Sequence, residues 1–222
     1  MDLLEGVTMS YSSVVAAALS GASVRQLSYW RSARSSEGPL LAPTLHSPGT
    51  RASYSFQDVV ALRTFVYLRG RGVPLQRVRK AIANLRDLGE TSHLSSYRLI
   101  AVGKDVAWVS ADDSATDLTR LPGQQVIAEM IDILSAFHGP RNRDVVPLHH
   151  PKPGVDVDPE VRGGYPVIEG TRVPYDVVAA LLDDGVTEAD IANFYPSVPR
   201  RGARGAREFA RYVDTYRLRT PA

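Results

Sequence analysis

The sequence predicts a mainly α-helical protein with small β-hairpins. It orders as an N-terminal winged helix-turn-helix, a middle hairpin-and-helix segment, and a C-terminal hairpin followed by three helices. Three observations carry this reading. Apolar residues recur at helical spacing behind serine caps through the first 90 residues. Clusters of β-forming residues flank Gly-containing turns near 103 and 170. Gly or Pro closes nearly every helical stretch, so the elements are short and numerous.

Residues 11–19 place Val14, Val15, Ala18 and Leu19 on one face behind Ser12 or Ser13. Ser20-Gly21-Ala22 breaks that helix, and Ser23 caps a second one running to Trp30, with Val24, Leu27 and Trp30 facing inward. Helix, Gly-containing turn, helix is the helix-turn-helix pattern. Residues 40–45 and 51–55, on either side of His46-Ser47-Pro48-Gly49-Thr50, read as a hairpin or wing. Ser55 caps a helix carrying Val59, Val60, Leu62, Phe65, Val66 and Leu68; residues 75–88 form the next, through Leu75, Val78, Ile82 and Leu85.

Beyond a boundary at residues 89–93, residues 97–102 and 106–110 alternate as a hairpin, and 126–137 reads as a helix. Residues 139–154 hold four prolines and read as a linker. Residues 165–168 and 171–173 flank Glu169-Gly170 as a second hairpin, because Gly takes the positive φ of a tight turn. Helices follow at 175–182, 188–195 and 203–216, Gly185 ending the first and Thr187 with Asp190 starting the second. The expected organisation is therefore a DNA-binding domain at 1–90, a connecting and dimerising segment at 91–138, a linker at 139–155 and a helical domain at 156–222.

The 222 residues, 44% hydrophobic and 23% charged, have the composition of a soluble globular protein. No apolar run reaches the ~18 residues of a membrane span. The acidic start Met1-Asp2-Leu3-Leu4-Glu5 is unlike a secretory signal, so the expected location is cytoplasmic. Zero cysteines exclude disulfides, thiolate metal sites and thiol-based redox sensing. Residues 1–90 carry 11 Lys and Arg against 6 Asp and Glu, which fits a polyanionic partner for that part alone.

On the second helix Arg25, Gln26, Ser28, Tyr29 and Arg31 fall off the Val24/Leu27 face, where they would enter a major groove. Arg bonds guanine bidentately, Gln reads adenine, and Ser or Tyr bonds phosphate. Ser23 at the helix start, with Arg51 and Tyr54 in the wing, completes the expected DNA-binding set. The bland alternative is a small helical domain whose arginines are simply solvated.

The runs Gly21-Ala-Ser-Val-Arg-Gln-Leu-Ser-Tyr-Trp, Gly38-Pro-Leu-Leu-Ala-Pro, Arg51-Ala-Ser-Tyr-Ser-Phe-Gln-Asp-Val and Leu68-Arg-Gly-Arg-Gly-Val-Pro-Leu resemble the MerR-type winged helix-turn-helix over residues 8–88. The resemblance implies a homodimer on palindromic double-stranded operator DNA, with Arg25, Gln26, Tyr29 and Arg51 at the DNA. MerR regulators continue into a long dimerising helix and an effector site; here residues 89–96 interrupt that helix and no cysteine follows.

Residues 156–216 resemble antitoxin domains of the VapB type, through Asp158-Pro-Glu-Val-Arg-Gly-Gly, Pro166-Val-Ile-Glu-Gly-Thr-Arg-Val-Pro, Leu182-Asp-Asp-Gly-Val-Thr-Glu-Ala-Asp-Ile and Tyr195-Pro. Gly164, Pro166, Gly170, Thr171 and Arg172 are its structural signature. The pairing with a MerR-like head looks like the large two-domain antitoxins of mycobacterial type. It implies a partner toxin, commonly a PIN-domain ribonuclease. Glu188 and Asp190 in the first turn of the second C-terminal helix would repel DNA, which favours a protein partner there. Arg200, Arg201, Arg204 and Arg207 are the expected toxin-binding residues.

Enzyme readings fail on spacing. Gly163, Gly164 and Gly170 match neither a P-loop nor a dinucleotide fingerprint. His149-His150 sit in a Pro-rich stretch without a carboxylate pair, and Asp112, Asp113 and Asp117 share one loop. No catalytic residue, metal or cofactor is expected. The expected function is an antitoxin that neutralises its toxin by contact and represses its own operon. The alternative is a MerR-like transcriptional regulator answering a small ligand in the 97–137 segment.

Overall fold

A computed structural model describes residues 10–32, 38–45, 51–87, 92, 98–109, 115–117, 125–126 and 133–217. The described residues form a mainly α fold with small antiparallel sheets, as the sequence predicts. The N-terminal order is β1 (Tyr11–Ser12), α1 (Ser13–Ser20), α2 (Val24–Arg31), β2 (Ser53–Tyr54), α3 (Phe56–Gly70) and α4 (Leu75–Asp87). Serine caps start three of these helices as expected. Ser12, Ser23 and Ser55 accept from the backbone N–H of Val15, Gln26 and Asp58 at 3.4, 3.2 and 3.1 Å. Gly21 ends α1 at φ 78°, and a Cβ there would lie 2.5 Å from Val145, so turn geometry and packing both require glycine.

α3 is the centre of the molecule. Every residue from Asp58 to Leu68 is buried, which is the signature of a helix packed on all sides rather than on one face. Arg63 is fully buried within it. Its guanidinium donates to the carbonyls of Ile133 (2.7 Å), Val146 (2.9 Å), Ser135 (2.8 Å) and Leu19, and lies 5.1 Å from the Phe137 ring centroid. One charged side chain thereby ties the end of α1 to the chain on both sides of the next hairpin.

The middle of the chain holds β3 (Arg98–Val102), β4 (Asp105–Val109), β5 (Ala115–Asp117) and β6 (Gln125–Val126) in one antiparallel sheet. The expected hairpin at Gly103 is present, with Val102 paired to Asp105. β4 abuts α4, where Arg77 pairs with Asp105 at 3.2 Å. The helix expected over 126–137 is not supported at its ends. Val126 lies in β6 and Phe137 in the next strand, β7 (Phe137–Gly139), while 127–132 lie outside the described residues.

Residues 139–155 correct the expectation of a linker. β7 pairs with β8 (Arg143–Val145), and this hairpin packs on α3. A Cβ at Gly70 would lie 2.7 Å from the His138 carbonyl, so the end of α3 meets the strand backbone directly. Val145, Leu148, Gly154 and Val155 are buried. Prolines here shape a packed strap, because each turn finds a core surface to cover.

The last part comprises β9 (Val155–Asp156), β10 (Val167–Ile168), α5 (Tyr175–Asp183), α6 (Ile191–Phe194) and α7 (Arg200–Arg217). The turn at Glu169-Gly170 forms as expected, with Thr171 N–H donating to the Ile168 carbonyl and Gly170 at φ 73°. β10 pairs with β9 on one side, and on the other Ile168 N–H donates to the Val173 carbonyl at 2.9 Å while Pro174 bridges Val167, so the expected hairpin closes as well. α6 is four residues long where eight were expected. Three of the missing residues are at its start, where Thr187 to Asp190 form a turn closed by Asp190 N–H on the Thr187 carbonyl. One is at its end, where Pro196 drives Tyr195 out of the helical region, to φ −131° and ψ 85°.

α7 packs on α1 as well as α5, so the two ends of the chain share one core. Tyr11, Tyr165, Tyr175, Phe209, Tyr212 and Tyr216 form a continuous aromatic series with centroid separations of 4.7–6.3 Å. Tyr11 donates to the Gly164 carbonyl, and Tyr212 donates to the Ala18 carbonyl at 3.1 Å. No described helix is long and apolar enough to cross a membrane.

Candidate nucleic-acid interface

α2 is held from beneath. Leu27 and Trp30 are 1% and 2% exposed, and Trp30 meets the Phe65 ring edge-on at 5.8 Å. Its carbonyl accepts from the Leu40 and Leu41 N–H groups, so residues 40–41 close the end of α2. This contact also explains why 40–45 do not pair as a wing strand. Leu40 and Leu41 are spent on the core, Thr44 donates to the buried Asp58 carboxylate, and β2 pairs instead with β1. Residues 46–50 at the wing tip lie outside the described residues.

Arg25, Ser28 and Tyr29 project from the opposite side of α2 and are exposed, as is Arg51. Tyr29 is steadied by Arg79, whose guanidinium lies 5.8 Å from its ring centroid. Arg79 also donates to the Gly38 carbonyl at 3.0 Å, so a residue of α4 orients a candidate groove-facing side chain. Sequence reasoning passed over Arg79 because an arginine beside the apolar stripe of an amphipathic helix reads as solvated, whereas it is buried.

Three expected contacts have other work. Ser23 and Gln26 form a reciprocal capping box, in which the Gln26 side-chain carbonyl accepts from Ser23 N–H at 2.8 Å and Ser23 hydroxyl at 3.0 Å. Gln26 is thus turned back on the helix start. Tyr54 is a correction: it is 1% exposed inside the core and cannot touch DNA. Its register opposite Tyr11 in the β1–β2 pair puts it on the inward face. Burial raises the Tyr54 hydroxyl above its ordinary pKa, with the nearby charge of half-buried Arg31 working against that.

The C-terminal signature residues are structural in the way their types suggest. Gly164 sits at φ 84°, and a Cβ there would come within 2.7 Å of Phe56 and 2.8 Å of the Tyr11 hydroxyl. The buried Pro166 accepts the Tyr175 N–H at 3.1 Å, and Thr171 caps its own turn onto Ile168 and Val173. Gly170 faces open space, and the Arg172 carbonyl accepts from Arg162 at 2.8 Å.

Among the candidate toxin-binding arginines, Arg200, Arg201 and Arg204 are exposed and Arg207 is half-buried. Arg201 pairs with Glu169, while Arg204 and Arg207 pair with Glu188 at 3.4 and 3.0 Å. The acidic residue expected to face a partner is therefore already engaged by α7.

Among the described residues no group of three His, Asp or Glu could hold a metal ion. His149 bonds the Val157 carbonyl at 2.9 Å and His150 pairs with Asp156 at 2.8 Å, so both pin the strap to β9. Asp112 and Asp113 lie outside the described residues.

Comparison with known proteins follows the same division. Residues 11–85 match the family described as MerR HTH family regulatory protein, and residues 155–210 match the family described as protein of unknown function (DUF433). Relatives include the uncharacterized HTH-type transcriptional regulators Rv1830 of Mycobacterium tuberculosis and Mb1861 of Mycobacterium bovis. Each is 29% identical over 151 residues, covering 63% of this chain and 64% of the relative. The chain thus spans slightly under two thirds of those relatives. The crystal structure of Rv2018 from Mycobacterium tuberculosis superposes with a TM-score of 0.50, covering 88% of this chain and 96% of that one. At 16% identity that likeness concerns the fold alone. The chain joins a MerR-family helix-turn-helix domain at residues 11–85 to a DUF433 domain at residues 155–210.

Proposed function

We propose that this protein is a MerR-type, DNA-binding transcriptional regulator that acts as a homodimer on operator DNA. The observation that carries the reading is α2 itself. Leu27 and Trp30 anchor it in the core while Arg25, Ser28 and Tyr29 stand exposed on its outer side. A rigidly seated helix with an Arg near its start is what major-groove readout needs, because register is set before any base is touched. Arg25 reads a guanine edge, Ser28 and Arg51 contact phosphate, and the helix carries no acidic residue to oppose them.

Gel shifts with the DNA upstream of the protein's own gene, over a salt series, test this. Arg25→Ala is expected to lose about 1–3 kcal/mol of operator affinity and to relax sequence preference at one position. Arg51→Ala is expected to weaken all DNA sequences alike and to shallow the salt slope by about one unit. Unchanged binding by Arg25→Ala would reject α2 as the reading helix.

A protein partner for the DUF433 domain is the second reading, including neutralisation of a PIN-domain ribonuclease as an antitoxin. Phe194 and Val177, 57% and 38% exposed, favour it because both are large apolar side chains left in solvent on that domain. The pairing of Arg201, Arg204 and Arg207 within the domain weighs against an arginine-led contact. Co-expression with the product of the adjacent gene decides it. Co-purification and rescue of growth support the antitoxin reading, and independent elution of the two proteins dismisses it.

A further inference from the structure

A cleft of about 440 Å³ opens where three parts of the chain meet, and the MerR-type reading of the N-terminal domain does not account for it. One wall is the start of α2 with Arg25. Another is the β7–β8 hairpin, with Pro140 and Arg141 of its turn and Arg143 of β8, and the rest comes from Val66 of α3 and Tyr216 of α7. Its volume lies within the usual range for small-molecule sites, about 300–1,000 Å³.

The lining is chemically lopsided. Three arginines line it and no acidic residue does. Among the described residues no acidic side chain pairs with Arg25, Arg141 or Arg143, whereas Arg201, Arg204 and Arg207 all have acidic partners. Arg143 stacks on Tyr216 with 5.8 Å between guanidinium carbon and ring centroid, which fixes one cation beside an aromatic face. Arg141 is held at φ 59° and Asn142 at φ 54°, left-handed backbone that side-chain-bearing residues rarely adopt. A cleft lined by three arginines and no acidic residue favours an anion, and guanidinium forks match phosphate geometry.

We propose that this cleft binds a small organic anion, in the first instance a phosphate-bearing metabolite whose body rests on Tyr216, Val66 and Pro140. Resting on the regulator reading, the inference assigns the effector site to the junction of the helix-turn-helix with the strap and α7. Arg25 is shared by the cleft and the candidate DNA face, so an anion bound there withdraws it from the operator. Ligand binding and operator binding then oppose each other by the same factor in both directions.

The test uses the full chain, with inorganic pyrophosphate and AMP as probes, by calorimetry at constant ionic strength. Both probes are expected to bind the wild type, AMP more tightly. The Arg141→Ala/Arg143→Ala double variant is expected to lose at least tenfold, and Lys104→Ala, which removes an exposed cation from the β3–β4 turn, to bind as wild type. Arg141→Glu, at an exposed position, serves as a second variant and is expected to abolish binding. Absence of binding by the wild type, or undiminished binding by Arg141→Glu, overturns the proposal.

Operator gel shifts form the second arm. Pyrophosphate is expected to weaken operator binding several-fold beyond sodium chloride of equal ionic strength, and only while Arg141 is present. If Arg141→Glu weakens DNA binding as Arg51→Ala does and pyrophosphate acts only as salt, the cleft serves DNA phosphates and the small-anion proposal is overturned. If the wild type binds no DNA, the regulator reading fails, and calorimetry still decides the cleft.

Discussion

Replacing Arg63 with alanine removes four charge-assisted hydrogen bonds from the centre of the molecule at once. Each such bond contributes about 1.5–3 kcal/mol when formed, but the four share one guanidinium and do not add. Breaking a buried charged network costs about 3–5 kcal/mol, and the lost face of Phe137 contributes roughly a further 1 kcal/mol. The expected loss is therefore about 4–6 kcal/mol, a large share of the roughly 5–15 kcal/mol by which a typical domain is stable. At about 2–4 °C per kcal/mol for a chain of this size, the melting temperature should fall by roughly 8–24 °C. Urea unfolding followed by circular dichroism measures the energy, and amide exchange locates it. Amides in 133–148 should lose protection before those of α3. Arg63→Lys should recover less than half, because one ammonium cannot reach carbonyls on both sides of the hairpin. Arg63→Met, which fills the volume but leaves the Leu19, Ile133, Ser135 and Val146 carbonyls unpaired, should fare little better. A loss below about 1 kcal/mol for Arg63→Ala, or protection of 133–148 unchanged, would refute the view that this residue fastens the strap.

Further outcomes follow from close approaches and buried hydroxyls. Gly205→Ala should destabilise by about 1–3 kcal/mol despite alanine's better helix propensity, because its Cβ would sit 2.2 Å from the Pro153 carbonyl oxygen. Gly164→Ala should cost at least as much and disturb both domains, since a positive φ and the contacts with Tyr11 and Phe56 coincide; thermal unfolding checks both variants. Ser23→Ala should lose about 1 kcal/mol and free Gln26 from the capping box, measurable in the same assay. Burial raises the pKa of Tyr11, Tyr165, Tyr175 and Tyr212 above the ordinary tyrosine value of 10.0. The folded state therefore holds protons that the unfolded chain releases. Stability should be full below about pH 10 and fall steeply above it, with tyrosinate absorbance rising together with unfolding. Tyrosinate appearing well before the circular dichroism changes would contradict the buried series.

Local signals read well in this chain because they are local. Ser12, Ser23 and Ser55 cap the helices they precede, Gly21 turns the first helix into the second, and Gly103 and Gly170 turn where expected. On α2, the alternation of Leu27 and Trp30 with Arg25, Ser28 and Tyr29 correctly separated the inner from the outer side. Partner choice was less legible. Two-residue strands carry too few alternations to reveal their mates, so Ser53–Tyr54 was matched to 40–45 rather than to Tyr11–Ser12. Val167–Ile168 does meet 171–173, through Ile168 N–H and the Val173 carbonyl, but its ladder partner Val155–Asp156 on the other side was not foreseen. Tyr54 became a surface candidate through the mismatch of Ser53–Tyr54.

By itself, then, the sequence determined the elements whose causes lie within a few residues: caps, Gly turns, the amphipathic helices, and the MerR-type resemblance of the N-terminal part. Tertiary structure alone decided what lies between the two ends of the chain. Prolines at 140, 147, 151 and 153 look alike in an exposed linker and in a packed strap, since both forbid a regular ladder. Only the buried guanidinium of Arg63, the close approach of Gly70 to His138 and of Gly205 to Pro153, and the aromatic series from Tyr11 to Tyr216 separate the two. The Arg63 bonds, the two glycine approaches and the Tyr11–Tyr165 stack each join residues 44 or more positions apart, beyond the reach of any local pattern.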